Sequence, residues 1–294
     1  MTKVLEALTE INLDDLVSSF GWEGWPILEP SLRAVCRRPA RKLARNMATF
    51  DEQVGSHGLM DASIVLMQHY AQRLRVIGRE NLPQGAFIAL SNHPGMIDTL
   101  ALFAALNRPD LRIIAVPRPF LQVMPNVDRR LLYVKDDPRE SVSLIRHVSR
   151  HLKSGGAVLT FPSGKIEPDP DVFPGAVQAL SEWTRSAGVF LRVVPEAVIV
   201  PVLVRGVILA RTARHPLTAL KKTRFEKEKL SAALQVLAHT VFNNRSLDVT
   251  VQIGTPVSAG QLGFVDKDTL HAAVISEMRR MLEVPSQGGY DNVF

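Results

Sequence analysis

The stretch GAFIALSNHPGMIDTLALFAAL, residues 85–106, joins two apolar segments of different character through a short polar turn. Its first part, GAFIALSN, is a short apolar run that ends in polar residues, which is typical of a buried strand. Its last part, DTLALFAAL, has the apolar composition of a buried helix. Pro94 and Gly95 lie between the two parts and predict a sharp turn from strand to helix.

The same alternation of strand and helix continues along the chain. Further strands are predicted at LRIIAV, GGAVLTF, EAVIVPVLVRG and DVTVQIGTP, and helices at SVSLIRHVSRHL, GAVQALSEWTRSAG, LTALKKTRFEKEKLSAALQVLAHTVF and residues 267–283. Apolar strands that alternate with helices predict an α/β fold with a central, mostly parallel sheet flanked by helices. The tail PSQGGYDNVF is predicted to be loose.

The first 75 residues have a different texture and are predicted to be helical. One helix is expected to begin at Pro39, a favourable residue for a first turn. Another is expected over DASIVLMQHYAQRLRV, with Asp61 as its cap. We therefore expect a helical N-terminal segment, residues 1–75, followed by a second domain, residues 76–294.

Composition and charge limit the classes of partner. The net charge of +6 favours anionic partners: nucleic acid, phosphorylated metabolites or an anionic membrane surface. Aromatic and basic residues do not alternate as they do in single-strand binding platforms, which argues against nucleic acid. The one cysteine, Cys36, excludes an internal disulfide and a multi-cysteine metal site. No secretory leader and no run of about 18 apolar residues is present, so a cytoplasmic protein is expected.

His93 and Asp98 flank the predicted turn. In an uninterrupted helix, side chains five residues apart point about 140° apart and do not meet. A turn at Pro94-Gly95 can fold His93 over the helix start, so that Asp98 accepts a hydrogen bond from one imidazole nitrogen. The other nitrogen is then free to accept a proton, as in catalytic dyads. The alternative is simple turn chemistry, with Asp98 acting only as a helix cap.

The segment VIGRENLPQGAFIALSNHPGMID resembles the entry segment of the glycerolipid acyltransferase superfamily, which includes 1-acylglycerol-3-phosphate and glycerol-3-phosphate acyltransferases. Members have a glycine and an E-N-L-P lead-in, an apolar strand and an N-H-x4-D block in this order. The matching positions here are Gly78, Glu80–Pro83, Phe87–Leu90 and Asn92–Asp98.

Three later blocks extend the resemblance to about residue 206. In the second block, Lys135 stands where the family usually has Arg, and Leu152, Gly155 and Phe161-Pro162 follow in order. The third block, FPSGKIEPDPDVFPGA, departs from the usual F-P-E-G-T-R-S because Ser163 replaces the Glu and Lys165-Ile166 replaces Thr-Arg. Its Pro-Ser-Gly form is closer to that of soluble glycerol-3-phosphate acyltransferases. The fourth block, VIVPVLVRGV, matches a Val-Pro-Val strand and ends near Arg205.

The resemblance implies acyl transfer from acyl-CoA or acyl carrier protein to a hydroxyl of glycerol-3-phosphate or a lysophospholipid. It implies His93 as general base, Asp98 as its orienting residue, and no cofactor or metal beyond the thioester co-substrate. No G-x-S-x-G motif is present, which favours direct attack over an acyl-enzyme. The predicted substrate-binding residues are Lys135, Ser163, Gly164, Lys165, Arg118 and Arg205. Among them, the turn at Ser163-Gly164-Lys165 is a candidate anion site because a glycine turn can expose backbone N–H groups.

Several alternatives stay open at this stage. The same chemistry can act on another lysolipid or a glycolipid, and a non-catalytic lipid-binding or acyl-carrier-binding protein can retain the fold. The basic stretch RAVCRRPARKLAR, residues 33–45, is a candidate for peripheral contact with the inner face of a membrane. The competing interpretation is a helical cap that packs on the catalytic domain and keeps its basic face in water.

Overall fold

The computed structural model describes residues 2–135, 137–242, 245–258, 267–283 and 289–294. Three helices come first: α1 (Thr2–Phe20), α2 (Leu28–His57) and α3 (Leu59–Met67). The helix predicted over residues 61–76 therefore ends early, and its second half is a strand. Because that strand contributes Leu74 and Val76 to the core of the sheet, tertiary packing overrides the local helical pattern.

Helix α2 also differs from its prediction. It begins at Leu28 and runs through Pro39, where a helix start was expected. Proline has no N–H to donate to the preceding turn, so its position inside a helix has a cost. Cys36 and Ala40, on either side of it, are buried in a small apolar cluster with Leu13 and Leu16 of α1. Packing against α1 thus holds the helix continuous.

The strands are β1 (Ala71–Ile77), β2 (Phe87–Ser91), β3 (Arg112–Ala115), β4 (Leu131–Tyr133), β5 (Ala157–Thr160), β6 (Val198–Arg205), β7 (Leu247–Ile253), β8 (Val257–Ser258) and β9 (Asp291–Asn292). They form one sheet in the order β4-β3-β5-β2-β6-β7-β1-β9, and β8 pairs with β6. Strands β4, β3, β5, β2 and β6 run parallel, β7 is antiparallel to β6, and β1 is parallel to β7. The predicted α/β fold with a mostly parallel sheet is confirmed.

The other helices cover this sheet. They are α4 (Met96–Leu106), α5 (Pro119–Gln122), α6 (Pro125–Asp128), α7 (Pro138–Lys153), α8 (Ala176–Ala179), α9 (Ala187–Val193), α10 (Ala210–Ala213), α11 (Pro216–Ala219), α12 (Arg224–Phe242) and α13 (Lys267–Glu283). The helices predicted at GAVQALSEWTRSAG and LTALKKTRFEKEKLSAALQVLAHTVF are each broken into shorter pieces. The tail is not wholly loose, because β9 pairs with β1; residues 285–288 of that tail lie outside the described residues.

The two faces of the sheet bury separate apolar clusters. Along β2, Phe87 and Ala89 face one cluster, whereas Ile88 and Leu90 face the other. This alternation follows from the two-residue period of a strand. Helices α2, α3 and α4 contribute to the first cluster, and α7, α9 and α13 contribute to the second. A sheet covered on both faces explains why its strands read as continuous apolar runs.

The N-terminal helices share the first cluster with the sheet. Met47 and Phe50 of α2 and Leu66 of α3 are buried in the same cluster as Phe87 of β2. The helices therefore pack on the sheet as a cap, and the boundary predicted at residue 75 stays a prediction. No helix in the described ranges combines the length and the hydropathy that a bilayer crossing requires.

A buried carboxylate also joins α2 to the β3–β4 connection. Asp51 accepts hydrogen bonds from the backbone N–H groups of Asn126 (2.9 Å) and Val127 (2.8 Å) and from the Asn126 amide (3.1 Å). These N–H groups belong to the first turn of α6, where helix donors have no internal partner. Asp51 thus caps a helix that is distant in sequence.

We expect Asp51→Ala to lower the free energy of unfolding by about 2–4 kcal/mol, because buried N–H groups would lose their acceptor. Urea denaturation measures the loss as a lower midpoint with an unchanged slope. The control is Glu52→Ala at the exposed neighbouring position, which should stay within about 0.5 kcal/mol of the unaltered chain. Equal midpoints for the two variants would show that this contact does not stabilise the cap.

Candidate active site

The turn after β2 brings His93 and Asp98 together. His93 follows the carboxyl end of β2, and α4 begins at Met96, so Asp98 lies in the first turn of the helix. The distance between His93 Nδ1 and Asp98 Oδ2 is 2.9 Å. The carboxyl ends of parallel strands are where α/β proteins bind ligands. The contact proposed from the sequence is therefore present, at the edge of the sheet where a site is expected.

Asp98 also has the helix-capping role that was the alternative interpretation. Its Oδ2 accepts the backbone N–H of Gly95 at 2.8 Å, and its Oδ1 accepts the Thr99 hydroxyl at 2.9 Å. The side chain is fully buried. Capping and histidine contact thus coexist, because one carboxylate accepts several hydrogen bonds.

The geometry fixes the tautomer of His93. An ionised carboxylate can only accept, so Nδ1 carries the proton and Nε2 has a free lone pair. The ring stacks on Phe161, with centroids 4.4 Å apart and planes 29° apart. Its side chain is 27% exposed, so an incoming molecule can reach the ring. This arrangement suits a general base.

The pKa of His93 is raised above the ordinary value of about 6.5. Burial is the largest single influence and opposes the charged ring. The negative charge of Asp98, the hydrogen bond to Asp98 and the charge of Glu167 together outweigh it. The surroundings of the ring therefore favour the protonated form that a base adopts during reaction.

Glu167 is a site residue that the sequence reasoning missed. Its carboxylate is buried, and Oε2 accepts the backbone N–H of His93 at 3.1 Å. The same oxygen accepts the Ser163 hydroxyl at 2.9 Å, and Oε1 accepts Trp183 Nε1 at 2.8 Å. The only signal in the sequence is an acidic residue within the proline-rich loop KIEPDPD. Residues 93 and 167 meet because β2 and β5 are neighbours in the sheet.

Two further buried polar side chains tie the loops of this edge to β6. Asn92 exchanges two hydrogen bonds of 2.8 Å with the backbone of Val204. Asp169 accepts backbone N–H groups from Gly206 (3.1 Å), Val207 (2.8 Å) and Ile208 (2.8 Å). The loops that follow β2 and β5 are therefore anchored to the end of β6.

The turn at Ser163-Gly164-Lys165 lies beside His93, but it differs from the anion site predicted there. Gly164 has φ +66°, yet its N–H donates to the Phe161 carbonyl at 3.0 Å. The Lys165 N–H points to the Ser163 hydroxyl at 3.4 Å. These two backbone groups are occupied within the turn. The Lys165 ammonium pairs with Glu182, and both side chains are about half exposed.

Of the three other predicted substrate-binding residues, Lys135 and Arg118 follow the neighbouring strands β4 and β3, and Arg205 ends β6. Lys135 pairs with Glu140 at 3.3 Å. Arg118 is exposed. Burial raises the pKa of Asp15 in α1. The charge of the nearby Arg118 opposes this shift but is the smaller influence.

Arg205 ends β6 and has internal partners. Its Nη2 donates to the Met281 carbonyl at 2.9 Å, and its Nη1 lies 3.5 Å from Asp171 Oδ1. The guanidinium therefore joins β6 to α13. Its substrate role stays a prediction, as do those of Lys135, Ser163, Gly164, Lys165 and Arg118. Among the described residues, no group of three His, Cys, Asp or Glu side chains could hold a metal ion.

Among the comparisons with known proteins, a family model agrees with the sequence resemblance. Curated proteins give no match to this chain. A solved structure of the 1-acyl-sn-glycerophosphate acyltransferase PlsC from Thermotoga maritima also matches. The match covers 85% of this chain and 100% of the PlsC chain, with 17% sequence identity and a TM-score of 0.41. The family model described as Acyltransferase matches residues 73–205, a range that contains His93, Asp98 and Glu167. Residues 73–205 are therefore similar to an acyltransferase domain, which supports the resemblance seen in the sequence.

Proposed function

We propose that this chain transfers an acyl group from a thioester, acyl-CoA or acyl carrier protein, to a hydroxyl of glycerol-3-phosphate or a lysophospholipid. The observation that carries the proposal is the 2.9 Å contact between His93 Nδ1 and the buried Asp98 carboxylate within the range that the family model matches. An alcohol is a poor nucleophile at neutral pH, and a base within reach removes its proton as the oxygen attacks.

The proposed reaction is a direct transfer. His93 Nε2 accepts the hydroxyl proton while the alcohol oxygen attacks the thioester carbonyl carbon. The tetrahedral intermediate collapses with cleavage of the C–S bond. The imidazolium returns its proton to the thiolate, so that an ester and a free thiol are formed. Asp98 holds the ring in the required tautomer and stabilises the imidazolium throughout.

The acceptor phosphate needs a cation at this edge of the sheet. Lys165 and Lys135 are the first choices. Lys165 follows β5, which is adjacent to β2, and Lys135 follows β4, which is two strands further along the sheet. Each now pairs with an exposed carboxylate, Glu182 and Glu140 respectively. Exposed ion pairs contribute little, about 0–1 kcal/mol, so a phosphate can displace them.

The acyl chain needs an apolar surface next to His93. The strand order β4-β3-β5-β2 places Val134, Val116 and Phe161 in a row that leads to His93 along one edge of the sheet. Val116 is 47% exposed and Val134 is 39% exposed. We assign the acyl chain to this row, which includes part of the segment IAVPRPFLQVM expected to line a groove.

A membrane partner fits a different surface from the basic stretch considered first. Within that stretch, Arg33 pairs with Glu10, Asp14 and Glu29, and Lys42 donates to the Thr240 carbonyl at 2.7 Å. Arg33 and Lys42 are therefore held by contacts within the protein, whereas the other basic residues of the stretch are exposed, as the helical-cap interpretation with its basic face in water expects.

The better candidate is the tip formed by the α1–α2 turn and the segment before α12. Trp25 and Ile27 in the turn are 56% and 75% exposed, and Leu220 is 76% exposed. Lys221 Nζ donates to the Phe20 carbonyl at 2.8 Å, which places the two segments side by side. Exposed aromatic and aliphatic groups beside lysines suit the boundary of an anionic bilayer.

We expect His93→Ala to lower kcat/KM roughly 10²- to 10⁴-fold, because the general base is lost. Asp98→Asn should also lower it, because an amide that donates to Nδ1 reverses the tautomer. Labelled acyl-CoA and acyl carrier protein, tested with glycerol-3-phosphate, several lysolipids and a glycolipid, measure the transfer. The control is His147→Ala on the exposed face of α7.

The panel also separates the alternatives. Transfer that persists in His93→Ala at the unaltered rate contradicts the assigned base. Transfer only to another lysolipid or to the glycolipid gives the same chemistry with a different acceptor. Binding of the thioester without transfer to any acceptor supports a non-catalytic protein.

We expect the acid limb of the pH profile of kcat/KM to have its midpoint above 6.5. His93 acts as a base only when neutral, and its raised pKa keeps it protonated to a higher pH. Activity should therefore rise as pH increases through this region. Asp98→Asn should move the midpoint to lower pH, because the charge that favours imidazolium is removed. A midpoint that does not differ between the two proteins contradicts the assignment.

We expect Trp25→Ala with Ile27→Ala to reduce binding to vesicles of phosphatidylcholine and phosphatidylglycerol roughly tenfold or more, because the exposed apolar area is lost. Vesicle flotation measures the bound fraction. The control is Val189→Ala, an exposed aliphatic residue on α9. If the double variant binds as well as the control, the tip is not the membrane contact.

A further inference from the structure

Glu167 holds the main chain of His93 from both sides. The Glu167 backbone N–H donates to the His93 carbonyl at 2.8 Å, and the His93 backbone N–H donates to Glu167 Oε2 at 3.1 Å. The donor and the acceptor of one residue are thus fixed by one partner that is 74 positions away in sequence. This pairing sets the position of the imidazole more firmly than the contact with Asp98 alone.

The Glu167 carboxylate is itself held by neutral donors. It is 3% exposed, and its described donors are the Trp183 indole, the Ser163 hydroxyl and the His93 amide. Burial raises the pKa of Glu167, and these three hydrogen bonds oppose that effect. When it is ionised, a buried carboxylate with neutral donors carries a charge that none of these donors compensates, and its field acts on neighbouring groups.

We propose that Glu167 is a positioning residue for acyl transfer: its carboxylate fixes the His93 backbone, and its negative charge stabilises the imidazolium that forms during reaction. The inference rests on the function proposed above. It adds a second carboxylate to the His93–Asp98 pair and assigns separate tasks to the two. Asp98 sets the tautomer through Nδ1, whereas Glu167 acts through the main chain and through space.

Other charged groups face this carboxylate. Glu228 of α12 is buried beside Arg224, and burial raises the pKa of Glu228 to about 7; Glu167 and Glu182 add to that shift, and Arg224 opposes it. Lys165 compensates Glu182 through their ion pair. Glu228 therefore ionises within the pH range of the assay, and its contribution must be separated from that of Glu167.

The test is Glu167→Gln, which keeps the shape of the side chain and removes its charge. We expect the pKa of His93 to fall, as followed by NMR titration of the imidazole without substrate. We also expect kcat/KM to fall about tenfold, a smaller loss than removal of the base, with an acid limb at lower pH. A purely structural role for Glu167 would not move the titration of His93.

Four further variants keep the result interpretable. Glutamine places an NH2 group against the Trp183 indole N–H. The double variant Glu167→Gln with Trp183→Phe removes that conflict, and it is measured if the single variant folds poorly. Trp183→Phe alone keeps the carboxylate and shows what loss of the indole hydrogen bond does to the titration of His93. Glu196→Gln removes an exposed charge just before β6, at the opposite edge of the sheet, and serves as the matched control. Glu228→Gln isolates the contribution of α12.

The outcomes separate this inference from the proposed function. A His93 titration in Glu167→Gln, or in the double variant, that equals that of Glu196→Gln overturns the inference, even if acyl transfer is observed. A fall in the His93 pKa that Glu228→Gln reproduces in full also overturns it, because the effect then belongs to α12. A fall specific to Glu167, together with the loss of kcat/KM, supports it. Absence of transfer by the unaltered protein contradicts the proposed function and leaves the titration to stand by itself.

Discussion

The Asp98 carboxylate is the constraint on which the active-site edge depends. It is fully buried and holds His93 Nδ1, the Gly95 N–H and the Thr99 hydroxyl at 2.8–2.9 Å. An ionised group in such a position persists only if its oxygens are satisfied, so the start of α4 and the orientation of the imidazole are determined together. Glu167 and Asp169 act in the same way elsewhere along this edge, because the carboxylate of each accepts backbone N–H donors from a neighbouring loop. The loops after β2, β5 and β6 are thus held by buried acceptors as well as by apolar contacts.

The sequence predicts most of the α/β architecture because its core strands are covered on both faces. β2, β3, β5, β6 and β7 appear as apolar runs at the predicted places, and α4, α7 and α13 appear between or after them. The failures are local patterns that packing overrides. The residues of β1 have a helical pattern, but their partner β7 is far along the chain and supplies the pairing. Pro39 resembles a helix start, yet burial of its neighbours against α1 carries the helix through it.

The contacts in the candidate site are also of two kinds: some join residues close in sequence, and others join residues that are distant in sequence. His93 and Asp98 lie five residues apart, and the intervening turn is visible in the sequence, so their contact was predictable. Glu167 reaches His93 only because β5 lies next to β2, and no spacing in the sequence reveals that neighbourhood. The departure at Ser163 gains a physical meaning from the structure: its hydroxyl donates to Glu167, a carboxylate four residues further along. The partners of Arg205, Met281 and Asp171, were equally invisible, because they are distant from it in sequence.

The two outermost strands of the sheet have a consequence for how the protein behaves at high concentration. On one side the sheet ends in β4, which has three residues, and on the other in β9, which has two. Long unpaired strand borders act as templates for intermolecular pairing, whereas short ones offer few free backbone groups. The long strand β1 is shielded by β9, with the Val293 N–H donating to the Leu74 carbonyl at 2.9 Å. The described borders of the sheet therefore leave few backbone groups on which strands of a second molecule could pair and start a fibril.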